Sequence, residues 1–327
     1  MNIAFAGLRH CHIFDLYKMV QADPSYKILG AFEADPVARQ QAQGLGVICN
    51  YPSYDALLAD SQVEVVALGG CYGERGQMAI RALHAGKHVM ADKPLCTDLT
   101  ELDMLEKLAK EKNLKVSCMF TMRFEKKIQT LKKLIDSGAL GEINNVYFGG
   151  QHPLQYGRRP EWYYEPGMHG GVINDIAIHG IDVLNFALGL AVDKTIAARC
   201  WNKFAECEPS FRDSAQLMLT ANNGAGILAD VSYAIPDGIE FSLPYYWQFY
   251  IWGTKGTISL SLNEEKSFYF LKGCDSPILL NEKTVEIDYL TDFRNLVADK
   301  ENVVLSMEEV FHATRSTLLV QNQARND

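Results

Sequence analysis

Apolar and polar positions follow one rhythm in the first third of the chain and another in the rest. Residues 2–6 form a short apolar run that stops at Gly7, and apolar residues at helical spacing follow from His12 to Gln21. A second apolar run, 26–32, ends at Glu33. The pattern continues as a helix over 36–44, a strand over 47–50, a helix over 53–58 and a strand over 63–68 that closes on Gly69-Gly70. A helix over 74–85, a strand over 88–91, a helix over 98–112 and a strand over 115–120 complete this region. Strands alternating with helices of this length predict crossover units and a parallel sheet. Ligands of such sheets bind at the carboxyl ends of the strands, where Gly7, Glu33, Gly69 and Asp92 fall.

From about residue 121 the rhythm changes. A helix over 125–137 and a strand over 142–150 precede an apolar helix that opens at Gly170-Gly171. Alternating runs at 194–202, 214–221, 226–233, 246–252, 257–261 and 267–271 then predict a largely antiparallel open sheet, and a helix over 306–323 closes the pattern. The fold expected is an α/β N-terminal Rossmann domain over 1–120 joined to an α+β domain over 121–327 built on a large, mostly antiparallel open sheet.

Composition narrows the class. A chain of 327 residues exceeds the usual size of one core. Its 48% hydrophobic and 22% charged residues suit a soluble globular protein, and a net charge of -9 argues against a nucleic-acid surface. No apolar run approaches the length of a membrane span, and the stretch from Met1 to Gly7 lacks the features of a secretory leader, so a cytoplasmic protein is expected. The eight cysteines are scattered without a CxxC pair, which predicts reduced, mostly buried thiols. His10-Cys11-His12 is the one cluster of metal-ligand types, but three adjacent residues do not easily converge from a loop that opens a helix; no metal is expected.

Two stretches carry candidate chemistry. Within 170–182, Asp175 and His179 lie four residues apart on one helix face, with Asp182 three residues further on and apolar residues around them. An imidazole beside a carboxylate in oily surroundings suits a general base; a solvated pair on a surface helix is the plainer reading. The second stretch is Asp92-Lys93-Pro94. A lysine at a strand's carboxyl end, fixed by a following proline, can present its ammonium to a ligand, and the Lys93–Pro94 bond is open to the cis isomer. A surface Lys-Pro turn is the alternative. Gly7-Leu8-Arg9-His10-Cys11-His12 keeps the first glycine of a dinucleotide fingerprint but carries Arg9 and His12 at the second and third positions, so Arg9 must swing aside or pair with phosphates. Glu33 stands where an acid meets a ribose hydroxyl. The loop 151–169, rich in aromatic and charged groups and including Trp162, suits a polyhydroxylated ring or a packed lid.

With these residues in place, the chain resembles the Gfo/Idh/MocA oxidoreductases, the relatives of glucose–fructose oxidoreductase and inositol 2-dehydrogenase, over essentially its whole length. Residues 85–94, Ala-Gly-Lys-His-Val-Met-Ala-Asp-Lys-Pro, resemble the family's AGKHV…EKP segment. Gly170-Gly171 through Asp175, His179 and Asp182 resembles its GGxxxDxxxHxxD helix, and 211–215, 223–225 and 253–257 match weaker signatures of its sheet domain. The resemblance implies an NAD(P)-dependent dehydrogenase that takes hydride from a secondary hydroxyl of a sugar, sugar acid or cyclitol. It implies His179 as the base, Lys93 as the cation beside nicotinamide and substrate, and Asp175 as the group orienting the hydroxyl, with Asp182 fixing the imidazole. It places the cofactor on Gly7, Arg9, His12, Glu33, Gly69, Gly70, Asp92, Lys93 and Pro94, and the substrate on Arg123, Trp162, Asp175 and His179. Glu33 favours NAD, with NADP open because of Arg9. The family's sheet face implies a homodimer or homotetramer. Asp92 in place of glutamate, Arg75 in place of a common histidine, and Gly70-Cys71 in place of Thr-Pro are departures that cluster on the cofactor side. An NAD-using glycoside hydrolase or lyase on the same scaffold, and a non-catalytic NAD-sensing regulator, are the alternatives.

Overall fold

The first rhythm folds as a five-stranded parallel sheet. A computed structural model describes all residues of the chain except Glu240, Lys283, Glu286 and Asp327. Strands β1 (Asn2–Ala6), β2 (Lys27–Phe32), β3 (Val65–Leu68), β4 (His88–Ala91) and β5 (Val116–Cys118) stand in the order β2-β1-β3-β4-β5. Every residue of β3 is buried, as expected of a strand covered on both faces. Helices α1 (His12–Ala22), α2 (Pro36–Gly44), α3 (Tyr54–Ala59), α4 (Tyr72–His84) and α5 (Leu99–Lys112) fill the connections. Their starts follow local chemistry. Asp35 caps α2 by accepting from Ala38 N at 2.7 Å, Ser53 caps α3 through Ala56 N at 3.0 Å, and Asp98 caps α5 through Thr100 N at 2.7 Å. The strand order reverses direction between β1 and β3, which puts the switch-point crevice at the loops after those two strands.

The strand expected over 47–50 does not form. Ala31 alone exchanges backbone hydrogen bonds with this segment, through Ile48 O at 2.8 Å and Tyr51 N at 3.2 Å. Gly30, at φ +145°, breaks the extended course of β2 opposite a register shift in β1, and the Asn50 side chain takes the Leu29 carbonyl at 3.0 Å. A kinked edge offers no continuous ladder to a further strand.

The second rhythm builds a nine-stranded sheet. Helix α6 (Lys126–Asp136) precedes β6 (Ile143–Pro153); α7 (Ile178–Leu188) follows, and then β7 (Val192–Trp201), β8 (Ser214–Ala221) and β9 (Gly226–Ile235). The strands β10 (Trp247–Gly253), β11 (Gly256–Ser261), β12 (Phe268–Leu271) and β13 (Ile278–Leu279) continue the sheet. After α8 (Tyr289–Val297) and α9 (Met307–Gln323), β14 (Arg325–Asn326) completes the order β13-β12-β11-β10-β6-β9-β8-β7-β14. All pairs are antiparallel except β6 with β9 and β14 with β7. One face of the sheet carries α7, with Gly180 against Phe148 of β6. The other leaves Ile196, Met218, Leu228 and Trp252 exposed. Among the described residues no helix is long and apolar enough to cross a membrane.

The chain forms two compact units, and the expected single boundary at 120/121 describes only the first crossing between them. Unit 1 comprises Met1–Met119, Gly167–Gly170 and Tyr289–Thr314; unit 2 comprises Phe120–Pro166, Gly171–Asp288 and Arg315–Asp327. The return at Tyr289 includes α8, which the hydrophobic pattern did not predict. Unit 1 holds it through polar contacts: Tyr26 donates its hydroxyl to Leu290 O at 2.9 Å, Arg294 pairs with Asp23, and Asp292 accepts from Val304 N and Leu305 N at 2.6 and 2.9 Å.

The fit of α7 on the sheet is tight enough to test. A Cβ on Gly180 would stand 2.8 Å from Phe148 Cζ. Gly180→Val should therefore destabilise the protein by about 1–3 kcal/mol, read as a lower urea midpoint at unchanged slope.

Candidate functional site

Three loops meet at the carboxyl ends of β1, β3 and β4 in unit 1. Gly7 ends β1 at φ +71°, and a Cβ there would lie 2.6 Å from Gly70 N, so the first loop can touch the third only with glycine at position 7. His10 N donates to Gly69 O at 2.9 Å and pins the first loop to the end of β3. Glu33, buried at the end of β2, accepts from Leu8 N with one carboxylate oxygen and from Asp35 N at 2.8 Å with the other.

Asp92 is the hub of this cluster. Its carboxylate is fully buried and receives His10 Nδ1, His12 Nδ1 at 3.3 Å and Arg75 Nη2 at 3.5 Å. The Arg75 guanidinium, also fully buried, donates to Asp92 O at 2.8 Å, Pro94 O at 2.7 Å and Gly70 O at 2.9 Å, and lies 4.9 Å from the Tyr72 ring centre. Tyr72 hydrogen-bonds His10 Nε2 through its hydroxyl at 2.9 Å and packs against His169 at 5.6 Å, while Gly73 N donates to Met168 O at 2.9 Å. The Lys93–Pro94 bond is cis, and Lys93 is buried at 4% exposure. Burial pushes the His10 imidazole down to about 3, against the pull of Asp92 and with help from His12 and Lys93. Burial alone would favour the neutral acid at Asp92, but His10, Arg75 and His12 outweigh it and hold the carboxyl well below the usual carboxylate range. Burial also lifts the Cys71 thiol to about 12, so it is an inert neutral group at the head of α4.

Unit 2 holds the second cluster. The chain enters this unit at Gly171, at φ +94°, where a Cβ would lie 2.7 Å from Gln321 Nε2. Gln321 Oε1 accepts from Ile173 N at 3.1 Å and Asn174 N at 3.3 Å, satisfying amides that open the following helix. Ile173–Ala177 form a π turn, a local widening that recurs at functional sites, and Asp175 lies within it; His179 follows in the first turn of α7. Both are buried. Tyr233, on the inward register of β9, donates its hydroxyl to Asp175 Oδ2. Burial, reinforced by the Asp175 charge, raises the Tyr233 phenol well above its ordinary value, so it stays a donor. The His179 ring meets Trp247 edge-on at 5.8 Å, and His152 packs edge-on against Tyr233, Tyr246 and Trp247 at 6.4, 5.0 and 5.9 Å. Arg159 donates to Leu154 O, Pro153 O and Tyr163 OH and stacks 5.3 Å from the Tyr233 ring centre.

Several residues take places other than those their types suggested. The Asp182 carboxylate is gripped by Arg123, through Nε at 2.9 Å and Nη2 at 2.8 Å. Arg123 is therefore a buried structural cation, stacked 4.8 Å from the Phe186 ring centre, rather than a group offered to substrate. Trp162 is 1% exposed with its ring 4.3 Å from that of Tyr163; its large apolar area goes into the interior of unit 2. Asp92 turns its carboxylate to protein donors, not outward to a ligand, because a fully buried anion needs them. The ligand atoms of His10, Cys11 and His12 do lie within 4.8 Å of one another, but both His10 nitrogens are engaged, by Asp92 and Tyr72. Tyr233, Tyr72 and Gln321 were not anticipated. A hydroxyl inside an inward-facing row of β9 was the one available signal for Tyr233.

Comparison with known proteins places this geometry. Residues 1–120 match the family profile described as an oxidoreductase family with an NAD-binding Rossmann fold, and residues 128–259 match the GFO/IDH/MocA C-terminal domain. A myo-inositol 2-dehydrogenase of Thermotoga maritima is 24% identical over 49% of this chain and 46% of its own length. A levoglucosan dehydrogenase of Pseudarthrobacter phenanthrenivorans is 28% identical over 48% of this chain and 41% of its own. The chain thus spans less than half the length of either relative. Among solved structures, a 3-ketoreductase from Actinomadura kijaniata, crystallised with NADP and TDP-benzene, superposes with a TM-score of 0.81 at 17% identity, covering 100% of this chain and 98% of that one. This last likeness is one of fold.

Two consequences of the clusters can be measured. Arg123→Met strands the buried Asp182 anion and should destabilise the protein by about 3–5 kcal/mol, most of it recovered in an Arg123→Met/Asp182→Leu double variant. In acid, the unfolded chain binds a proton at His10 near 6.5 that the native protein refuses until about 3, and one at Asp92 near 3.8 that the native protein refuses until lower still. Both contributions are whole above about pH 6.5 and are lost as pH falls. Urea midpoints should decline from pH 6.5 toward about pH 4, and His10→Asn should flatten that decline.

Proposed function

Because the chain belongs to the GFO/IDH/MocA oxidoreductase family, whose NAD-binding fold occupies residues 1–120, we propose that it is an NAD(P)-dependent dehydrogenase acting on a secondary hydroxyl of a sugar, sugar acid or cyclitol. The observation that carries the reading is the buried pair on the helix after Gly171. Asp175 is fixed by a phenol that remains a donor, and His179 stands four residues on, in aromatic surroundings. The two named dehydrogenase relatives act, by their names, on a cyclitol and an anhydrosugar, which supports this substrate class.

In this reading His179 takes the hydroxyl proton, Asp175 holds the hydroxyl, and the Lys93 ammonium stabilises the developing alkoxide. When bound, NAD(P) accepts hydride from the carbinol carbon. The close backbone approach of Gly7 and Gly70, which any Cβ at position 7 would fill, suits a pyrophosphate against the first loop. Arg9 and His12 belong to that loop, and His12 is part-exposed there. Glu33, at the end of β2, favours the unphosphorylated ribose of NAD. The exposed apolar face at Ile196, Met218, Leu228 and Trp252 is the surface for a homodimer or homotetramer.

The test is NADH or NADPH formation with a panel including myo-inositol and levoglucosan. Wild type should reduce NAD with at least one polyol, and His179→Ala and Lys93→Ala should each lose about 10²–10⁴-fold in kcat/KM while still binding NADH. Near-normal turnover in either variant would sink the assignment. Release of a sugar fragment without accumulation of NADH would instead identify the transient-oxidation hydrolase or lyase.

A further inference from the structure

His10 lies in the loop after β1, and both of its ring nitrogens are used. Nδ1 meets the Asp92 carboxylate and Nε2 meets the Tyr72 hydroxyl at 2.9 Å, in a set whose members are all at or below 3% exposure. An ionised carboxylate only accepts, so the ring proton resides on Nδ1, and Nε2 then accepts from the tyrosine O–H. The groups facing this imidazole are Asp92 and Lys93 at the end of β4, Tyr72 and Arg75 on α4, and His12 on α1. Arg75 is balanced by Asp92 and by the three carbonyls it binds. A second proton on His10 would take the lone pair to which the Tyr72 hydroxyl donates. Tyr72 also packs on His169, which lies in the short stretch 167–170 of the same unit.

We propose that Asp92, His10 and Tyr72 form a positioning relay: it locks His10 as a neutral Nδ1–H imidazole and makes His10 and Tyr72 positioning residues for the strand end that carries Lys93. The relay rests on the dehydrogenase reading for its kinetic consequence only; its protonation state is a property of the chain alone. Burial, which keeps His10 neutral to about pH 3, acts in the same direction as the geometry.

The direct measurement is long-range proton–nitrogen spectroscopy on the full chain labelled with 15N-histidine. One of its eight histidines should show the Nδ1–H tautomer unchanged from about pH 5.5 to pH 9, and that signal should be missing in His10→Asn. Tyr72→Phe keeps the ring under Arg75 but removes the donated proton, so the Nε2 resonance of the same histidine should move while the imidazole, still buried, stays neutral across that window. If His10→Asn does not fold, the signal that Tyr72→Phe moves identifies His10. A wild-type His10 that titrates near 6.5 or holds its proton on Nε2, or a Tyr72→Phe spectrum identical to wild type, overturns the relay. With any polyol that wild type oxidises, Tyr72→Phe should lower kcat about tenfold, with the KM for NAD little changed. A loss carried by the KM for NAD rather than by kcat would mark Tyr72 as merely structural and overturn the positioning role. If no polyol is oxidised at all, the spectra still decide the relay, so the two readings fail separately.

Discussion

A carboxylate with no solvent is the constraint from which the rest of unit 1 follows. An anion can be buried only where donors and countercharge surround it, and Asp92 draws these from the connections that follow two other strands. His10 and His12 come from the loop and helix after β1, and Arg75 from the helix after β3. The acid is thus the knot that ties together the ends of β1, β3 and β4, which are the walls of the switch-point crevice. Arg75 reaches past it to the Gly70 and Pro94 carbonyls, so the backbone on either side of Lys93 is held by the same guanidinium that balances Asp92.

Unit 2 repeats the rule with two acids on one helix and divides the work between them. Asp182 is saturated by the Arg123 fork and is spent on holding the helix. Asp175 receives a phenol on one oxygen and lies in a π turn, where the helix is widened and its side chains are set off the usual spacing. Gln321 closes the amides at the start of that turn from a residue almost 150 positions away in sequence. The helix is therefore fixed at its start by α9 and along its length by Arg123.

The layers of the fold were legible because hydrophobic period is a local property. Both sheets and most helices fall where the runs of 3.6 and 2 put them. The failures have local causes too. The run 47–50 has strand composition, but Gly30 kinks the edge it would pair with; α8 is short, and its apolar stripe of Leu290, Phe293 and Leu296 spans only about two turns beside its side-chain hydrogen bonds to unit 1. At the site, Lys93, Asp175 and His179 could be picked out because each sits in a short motif with fixed spacing. Tyr72, Tyr233 and Gln321 could not, since each matters through a partner 58 or more residues away. Residue type alone misdirected for Arg123 and Trp162: a cation and an aromatic read as binding groups until burial shows one holding an acid and the other filling a core.

The route of the chain carries a consequence for how such a protein can be rebuilt. Unit 1 is assembled from three stretches, the last of them beginning at Tyr289 and tied to the first through Tyr26, Asp23 and Lys115. A nucleotide-binding half cut from this chain at residue 120 lacks α8 and the partners those side chains were shaped to meet. Recombination between relatives at a single junction would mismatch both halves at once. Exchange of the cofactor region has to carry all three segments together, so the recombinable piece here is a set of three sequence blocks rather than an N-terminal module.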